Sequence, residues 1–204
     1  MGEEGQSNME LMLAARKGDI AYLQSNHSRL GLLDNREGDS VLSHAVDEGT
    51  NESMKTLEFL AETPYWGELV NRVNGKGFYP LLLTLQHKSA TFMYYLLHHG
   101  ARILIPCEGG TTHKPCTIIP SCLVHAPQLL FILLERLQDY THWERLEALN
   151  QKSTVEGFYK EGGLSPYDLA ELLGRKDLAA MLVAAGAEGR GITELFSQMQ
   201  MGNK

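Results

Sequence analysis

The sequence predicts an all-α protein built from short helical hairpins laid side by side. Three observations carry this expectation. A phrase recurs with variation: Gly77–Lys88 reads G-F-Y-P-L-L-L-T-L-Q-H-K and leads on to L-L-H-H-G-A at Leu96–Ala101, while Gly163–Ala170 reads G-L-S-P-Y-D-L-A and leads on to L-V-A-A-G-A at Leu182–Ala187. Helix-opening residues stand before apolar runs: Ser7 with Glu10, and Thr141 with Glu144, have capping-box spacing, and Ser165-Pro166 pairs a cap with a first-turn proline. The apolar runs Leu81–Leu85 and Leu129–Leu134 are far shorter than the ~20 residues of a membrane span and read as buried helix faces.

Composition narrows the class. A chain of 204 residues suits one domain or one repeat array with mass enough for a core. Its 43% hydrophobic and 21% charged content is ordinary for a globular protein. The net charge of -7 argues against a nucleic-acid binder, which needs a basic face to track phosphates. Three unevenly spaced cysteines make no disulfide framework, so a reducing compartment is expected. Met1–Asn8 is acidic and polar, with no signal-peptide pattern, which points to the cytoplasm.

The recurring phrases resemble the ankyrin repeat, whose pattern is G-x-T-P-L-H-x-A-A, a glycine, an outer helix, then L-L-x-x-G-A. The resemblance runs from about Met9 to Ala187 and divides the chain into units near 8–34, 35–73, 74–103, 104–150 and 160–188, with a tail over 189–204. In the first unit a helix is expected to open at Ser7, with Leu11, Ala14 and Ala15 on its apolar face. Ala14-Ala15-Arg16-Lys17-Gly18-Asp19 matches the A-A-x-x-G-x segment. In the second, Gly38, Ser40, Leu42, Ala45 and Gly49 fall in register; Gly38 supplies a positive φ and Ser40 a helix cap. Leu57 and Leu60 continue its outer helix, and Thr63-Pro64 suggests an extra turn capped by Thr63. Ala14 to Ala45 spans about one 33-residue period, and the later units are longer.

The third unit matches best, through Gly77, Pro80, Leu81, Leu96, Leu97, Gly100 and Ala101. Tyr79 and Leu82 replace the pattern's Thr and His, so apolar packing takes the place of their hydrogen bond. In the fourth, Pro115 and Pro120 both qualify as the helix-opening proline. Pro127 then opens an outer helix, and Thr141 opens an added one carrying Trp143, Leu146 and Leu149. The fifth begins at Ser165-Pro166-Tyr167-Asp168 and closes at Gly186-Ala187. Ile192, Leu195, Phe196 and Met199 in the tail are spaced as an amphipathic helix, read as a lid on the end of the stack or as a binding helix. The fold expected is thus an ankyrin-like solenoid with short turn or hairpin fingers and a C-terminal capping helix.

What the resemblance implies is a non-catalytic protein-binding module that needs no cofactor. Its partner is another protein, met on the concave surface of finger tips and inner helices. By position, the second unit's tip is Asn35, Arg36, Glu37 and Asp39, and its inner helix presents Asp47 and Glu48. The third unit offers Lys76 and Phe78 at the tip and Gln86 and His87 on the helix. The fifth offers Lys160, Glu161 and Leu164. Phe78 reads as an exposed aromatic anchor, and Glu37, Asp39, Asp47 and Glu48 as an acidic group suited to a basic partner. On this basis Phe78→Ala and Asp39→Lys are expected to weaken binding with little effect on thermal unfolding. The setting stays open between a bacterial effector acting in host cytosol and a eukaryotic adaptor or inhibitor.

The alternative is a metal-dependent or catalytic site in the fourth unit. Cys107, His113, Cys116, Cys122 and His125 are all zinc-binding types within one stretch, but their spacing is wider than that of a zinc knuckle. The bland reading makes Cys116 and Cys122 small buried apolar residues. His98-His99 suits a helix C-terminus, and Gly109-Gly110-Thr111-Thr112 reads as a plain loop with no phosphate-loop context.

Overall fold

Among the described residues every regular element is a helix, and Leu33 and Ser40 form an isolated antiparallel bridge. The computed structural model describes residues 3–33, 37–105, 118–151 and 164–188. These fall in two units, Met1–His113 and Lys114–Lys204.

Among the described residues the first unit holds three helical hairpins. α1 (Glu3–Lys17) pairs with α2 (Ile20–Ser25), which runs into a 3-10 turn at His27–Arg29. α3 (Val41–Glu48) pairs with α4 (Asn51–Ala61), followed by the short α5 (Trp66–Leu69). α6 (Pro80–His87) pairs with α7 (Ala90–His98). α3 packs between α1 and α6, so the first helices of the hairpins form one row. Leu11, Leu42, Leu57, Leu60, Leu81, Met93 and Leu96 are fully buried between the rows.

Each hairpin turns at a residue in the left-handed region. Gly18 and Gly49 both have φ 66°, and Lys88 takes the same role at φ 53°. At Gly18 a second constraint applies, because a Cβ there would lie 2.1 Å from the Glu52 carbonyl oxygen of α4. Only glycine meets both demands. Thr56 secures the same close approach by donating its hydroxyl to the Ala15 carbonyl at 2.8 Å.

Local caps set the helix starts. Ser40 accepts from the Ser43 N–H at 3.1 Å, as expected for the pattern's Thr. Thr50 and Ser53 form a reciprocal capping box on α4. Tyr79 precedes Pro80 without a side-chain cap and is itself buried, so packing does replace the missing bond. Two expected starts are corrected. α1 begins at Glu3, upstream of Ser7; Ser7 and Glu10 sit one turn apart inside the helix, a spacing that cap and interior share. The extra turn after α4 exists, but it starts at Trp66, and the Thr63 hydroxyl donates back to the Leu60 carbonyl at 2.7 Å.

That extra turn finishes the neighbouring hairpin. The Trp66 indole N–H donates to the His99 carbonyl at 2.6 Å, and Asn71 donates to the Gly100 carbonyl at 3.0 Å while accepting from the Arg102 N–H at 2.8 Å. These bonds take up carbonyls left open at the end of α7. Tyr95 stacks on His99 with centroids 4.0 Å apart, and Trp66 meets both rings edge-on.

The second unit holds α8 (Ile118–His125), α9 (Leu130–Arg136) between 3-10 turns at Pro127–Leu129 and Leu137–Asp139, α10 (His142–Asn150), α11 (Pro166–Leu172) and α12 (Lys176–Ala185). Pro127 opens the outer segment, as expected. Pro120 lies in the first turn of α8, where a missing N–H costs nothing; Pro115 lies outside the described residues. α10 carries the expected capping box of Thr141 and Glu144. Its Leu149 is buried, whereas Trp143 is 78% exposed. Ser165 caps α11, with Pro166 as its first helical residue and Asp168 in its first turn. α12 ends at Gly186, where the Ala187 N–H returns to the Leu182 carbonyl at 2.9 Å. The tail 189–204, with Ile192, Leu195, Phe196 and Met199, lies outside the described residues.

Candidate partner-binding surface

The first unit brings two successive fingers together around one side chain, Asn74. Asn74-Gly75 opens a tight turn closed by the Gly77 N–H donating to the Asn74 carbonyl at 3.0 Å. The Asn74 side-chain oxygen accepts from the backbone N–H of Lys76 at 3.0 Å and of Phe78 at 2.9 Å. Its amide nitrogen donates across to the Asp39 carboxylate at 2.9 Å. The Gly75 N–H donates to the Glu37 carbonyl at 2.7 Å, and the Lys76 ammonium pairs with the Glu37 carboxylate. The tip of the third unit is therefore clipped to the tip of the second, and Asn74, only 9% exposed, is the hub.

This geometry changes the meaning of several expected site residues. Asp39 is half-buried and holds Asn74, so Asp39→Lys breaks the clip as well as changing charge. Phe78 is half-buried rather than an exposed tip, and its backbone closes the turn in both directions. Lys76 is exposed. Arg36 and Asn35 lie outside the described residues, as do Lys160 and Glu161. Leu164, expected at a tip, is instead buried at 5% exposure.

A second cluster forms at the ends of the inner helices. Arg16 of α1 places Nη2 3.2 Å from an Asp47 carboxylate oxygen, and Nε 3.0 Å from a Glu48 carboxylate oxygen. The latter is close enough for ionic attraction, although the Nε–H points off the hydrogen-bond line. His87 at the end of α6 reaches back, its Nε2–H donating to the Asp47 carbonyl. Its ring covers the Gly49 corner so closely that a Cβ there would lie 2.7 Å from it. Gln86 beside it is exposed.

All four acids of the expected acidic group thus have partners within the chain: Glu37 has Lys76, Asp39 has Asn74, and Asp47 and Glu48 share Arg16. Pairs this exposed stabilise by below about 1 kcal/mol each. Lys76 and Arg16 offset two of the four negative charges, which weakens but does not remove the field that would steer a basic partner. Sequence reading missed Asn74 and Arg16. The Asn-Gly dipeptide is a turn signal that marks the first. No local signal marks the second, whose partners lie 31 and 32 residues away.

In the second unit, Cys122 is fully buried, and its thiol donates to the Ala126 carbonyl at 3.1 Å. Burial pushes that thiol up to about 12, so the thiolate needed for metal binding is disfavoured in this position. His125 is exposed, and Cys107, His113 and Cys116 lie outside the described residues. Among the described residues no group of three His, Cys, Asp or Glu side chains is placed to hold a metal ion. Among them, too, no helix is long and apolar enough to cross a membrane.

Comparison with solved structures shows what these hairpins are similar to. The crystal structure of the human ASB11 ankyrin repeat domain matches with a TM-score of 0.56 and 20% identity, covering 87% of this chain and 69% of that one. At that identity the likeness establishes the fold, and the chain has the ankyrin-repeat fold. No protein-family model matches the sequence, and no curated protein matches it.

Proposed function

We propose that this chain is a non-catalytic protein-binding module that grips a partner protein with the braced fingers and inner-helix ends of its first unit. The Asn74 clip carries the reading. It fixes two finger tips and the start of α6 by six hydrogen bonds and an ion pair. Surfaces fixed before contact lose less entropy on binding. The exposed Lys76 and the half-buried Phe78 belong to this surface, with Gln86 at the far end of α6. Because the neighbouring acids are held in place and two of their four charges are offset, recognition rests on shape and on these side chains together with the remaining negative charge.

The same reading fits a bacterial effector acting in host cytosol and a eukaryotic cytoplasmic adaptor or inhibitor; the identity of the captured protein tells them apart. The test is affinity capture followed by mass spectrometry, using wild type and Gln86→Arg. A protein retained by wild type and lost with Gln86→Arg, at equal melting temperature, supports the surface. Equal capture by both removes Gln86 from it.

A further inference from the structure

Asn74-Gly75 is the sole Asn-Gly pair in the chain, and the clip holds every atom through which such a pair reacts. Asparagine before glycine loses ammonia spontaneously in mildly alkaline water. The glycine nitrogen gives its proton to base and attacks the asparagine Cγ. The bond from Cγ to Nδ2 breaks as the departing nitrogen takes a proton back from the protonated base, ammonia leaves, and a five-membered succinimide remains. Water then opens the ring: cleavage at Cγ gives aspartate, and cleavage at the backbone carbonyl gives an isoaspartyl link with one extra main-chain atom. No oxidant or cofactor is required.

In this fold the attacking nitrogen is occupied, since the Gly75 N–H donates to the Glu37 carbonyl at 2.7 Å. The leaving nitrogen donates to Asp39 at 2.9 Å, and the side-chain oxygen is fixed by the Lys76 and Phe78 N–H groups at 3.0 and 2.9 Å. Rotation of the amide toward Gly75 breaks all three of these side-chain bonds. The product is also incompatible with the clip. A carboxylate at position 74 has no proton to give Asp39 and faces it as a like charge. The isoaspartyl form lengthens a turn now closed by Gly77.

We propose that Asn74–Gly75 is a latent modification site, at which conversion to aspartate or isoaspartate is gated by opening of the finger clip and then prevents the clip from closing again. Loss of partner binding as a further result rests on the proposed function; the chemistry and the unclipping do not.

The experiment ages wild type under native conditions, wild type in urea, and folded Asp39→Ala, in the same mildly alkaline buffer. Peptide mapping by mass spectrometry follows the acid products at position 74. Conversion in urea is expected to be about tenfold or more faster than in the native state, with Asp39→Ala between them, because reaction proceeds only from the locally open state. Wild type aged in urea and refolded melts lower in proportion to the fraction converted, and Asn74→Asp reproduces the shift. Should Asn74→Asp fail to fold, the aged wild type supplies the same reading. Equal rates in native and unfolded protein overturn the gating, and converted protein that melts like fresh protein overturns the unclipping. None of these readouts involves a binding partner, so their failure is distinct from failure of the binding surface.

Discussion

Gly18, Gly49 and Gly174 occupy the same corner of three hairpins and share a positive φ, but a methyl group would meet different surroundings at each. At Gly174 nothing lies within 4 Å, so only the left-handed backbone matters. Gly174→Ala is expected to cost about 1 kcal/mol. Gly49→Ala adds a contact at 2.7 Å with the His87 ring, which has to swing off the Asp47 carbonyl, and costs more. Gly18→Ala meets backbone oxygen at 2.1 Å and costs most, since α4 itself has to move. Urea denaturation of the three variants checks the order; equal losses would mean that the corners are not packed as described. Lys88 is the converse case. Relief of its left-handed strain, about 1–2 kcal/mol, outweighs the extra unfolded-state freedom of glycine, about 0.5–1 kcal/mol, so Lys88→Gly is expected to raise the urea midpoint.

At the scale of elements, the two insertions that lengthen the later units have identifiable work. α5 lends an indole N–H to the end of α7, so Trp66→Phe, which keeps the ring and drops the donor, is expected to cost about 1 kcal/mol. Amide exchange should quicken at the last turn of α7, and unchanged exchange there would count against this role. α10 begins in a box where the Thr141 hydroxyl and N–H both donate to the Glu144 carboxylate, at 2.7 and 3.0 Å. These bonds hold the Glu144 carboxyl below its ordinary range. A depressed carboxyl stabilises the fold above the unfolded pKa and loses that effect as pH falls through the folded one. Protection of the first α10 amides, measured against their intrinsic exchange rate at each pH, should therefore fall on acidification through the carboxylate range, and the fall should be smaller in Glu144→Gln. Pro166→Gly removes preorganisation of the α11 start and is expected to cost about 1 kcal/mol or more, read by thermal unfolding of the second unit.

What was legible in the sequence follows the range of the deciding interaction. Ser165-Pro166, Thr141 with Glu144, Ser40 and Gly186 act within one turn of chain, and each does what its residue type predicts. Ser7 and Thr63 mislead because their local pattern fits two backbone states: Ser7 lies inside α1, and the Thr63 hydroxyl bonds back to Leu60. The site was less legible than the fold. The resemblance puts Glu37 and Asp39 on one tip and Lys76 and Phe78 on the next, but the bonds joining Asn74 to Asp39 and Arg16 to Asp47 span 35 and 31 residues, and no local rule reveals them. They turn an apparently free acidic face into an internally paired one.

For the molecule as a whole, the central claim is that an ankyrin-repeat fold holds pre-set fingers against a partner protein. The most direct measurement is calorimetric titration of the captured partner into wild type, Gln86→Arg and Phe78→Ala, with thermal melting of each alone. The account predicts at least about tenfold weaker binding for both variants, an unchanged melting temperature for Gln86→Arg and a modest fall for the half-buried Phe78→Ala. Wild-type affinity in both variants, with the partner still bound, would place the contact elsewhere on the chain and contradict it.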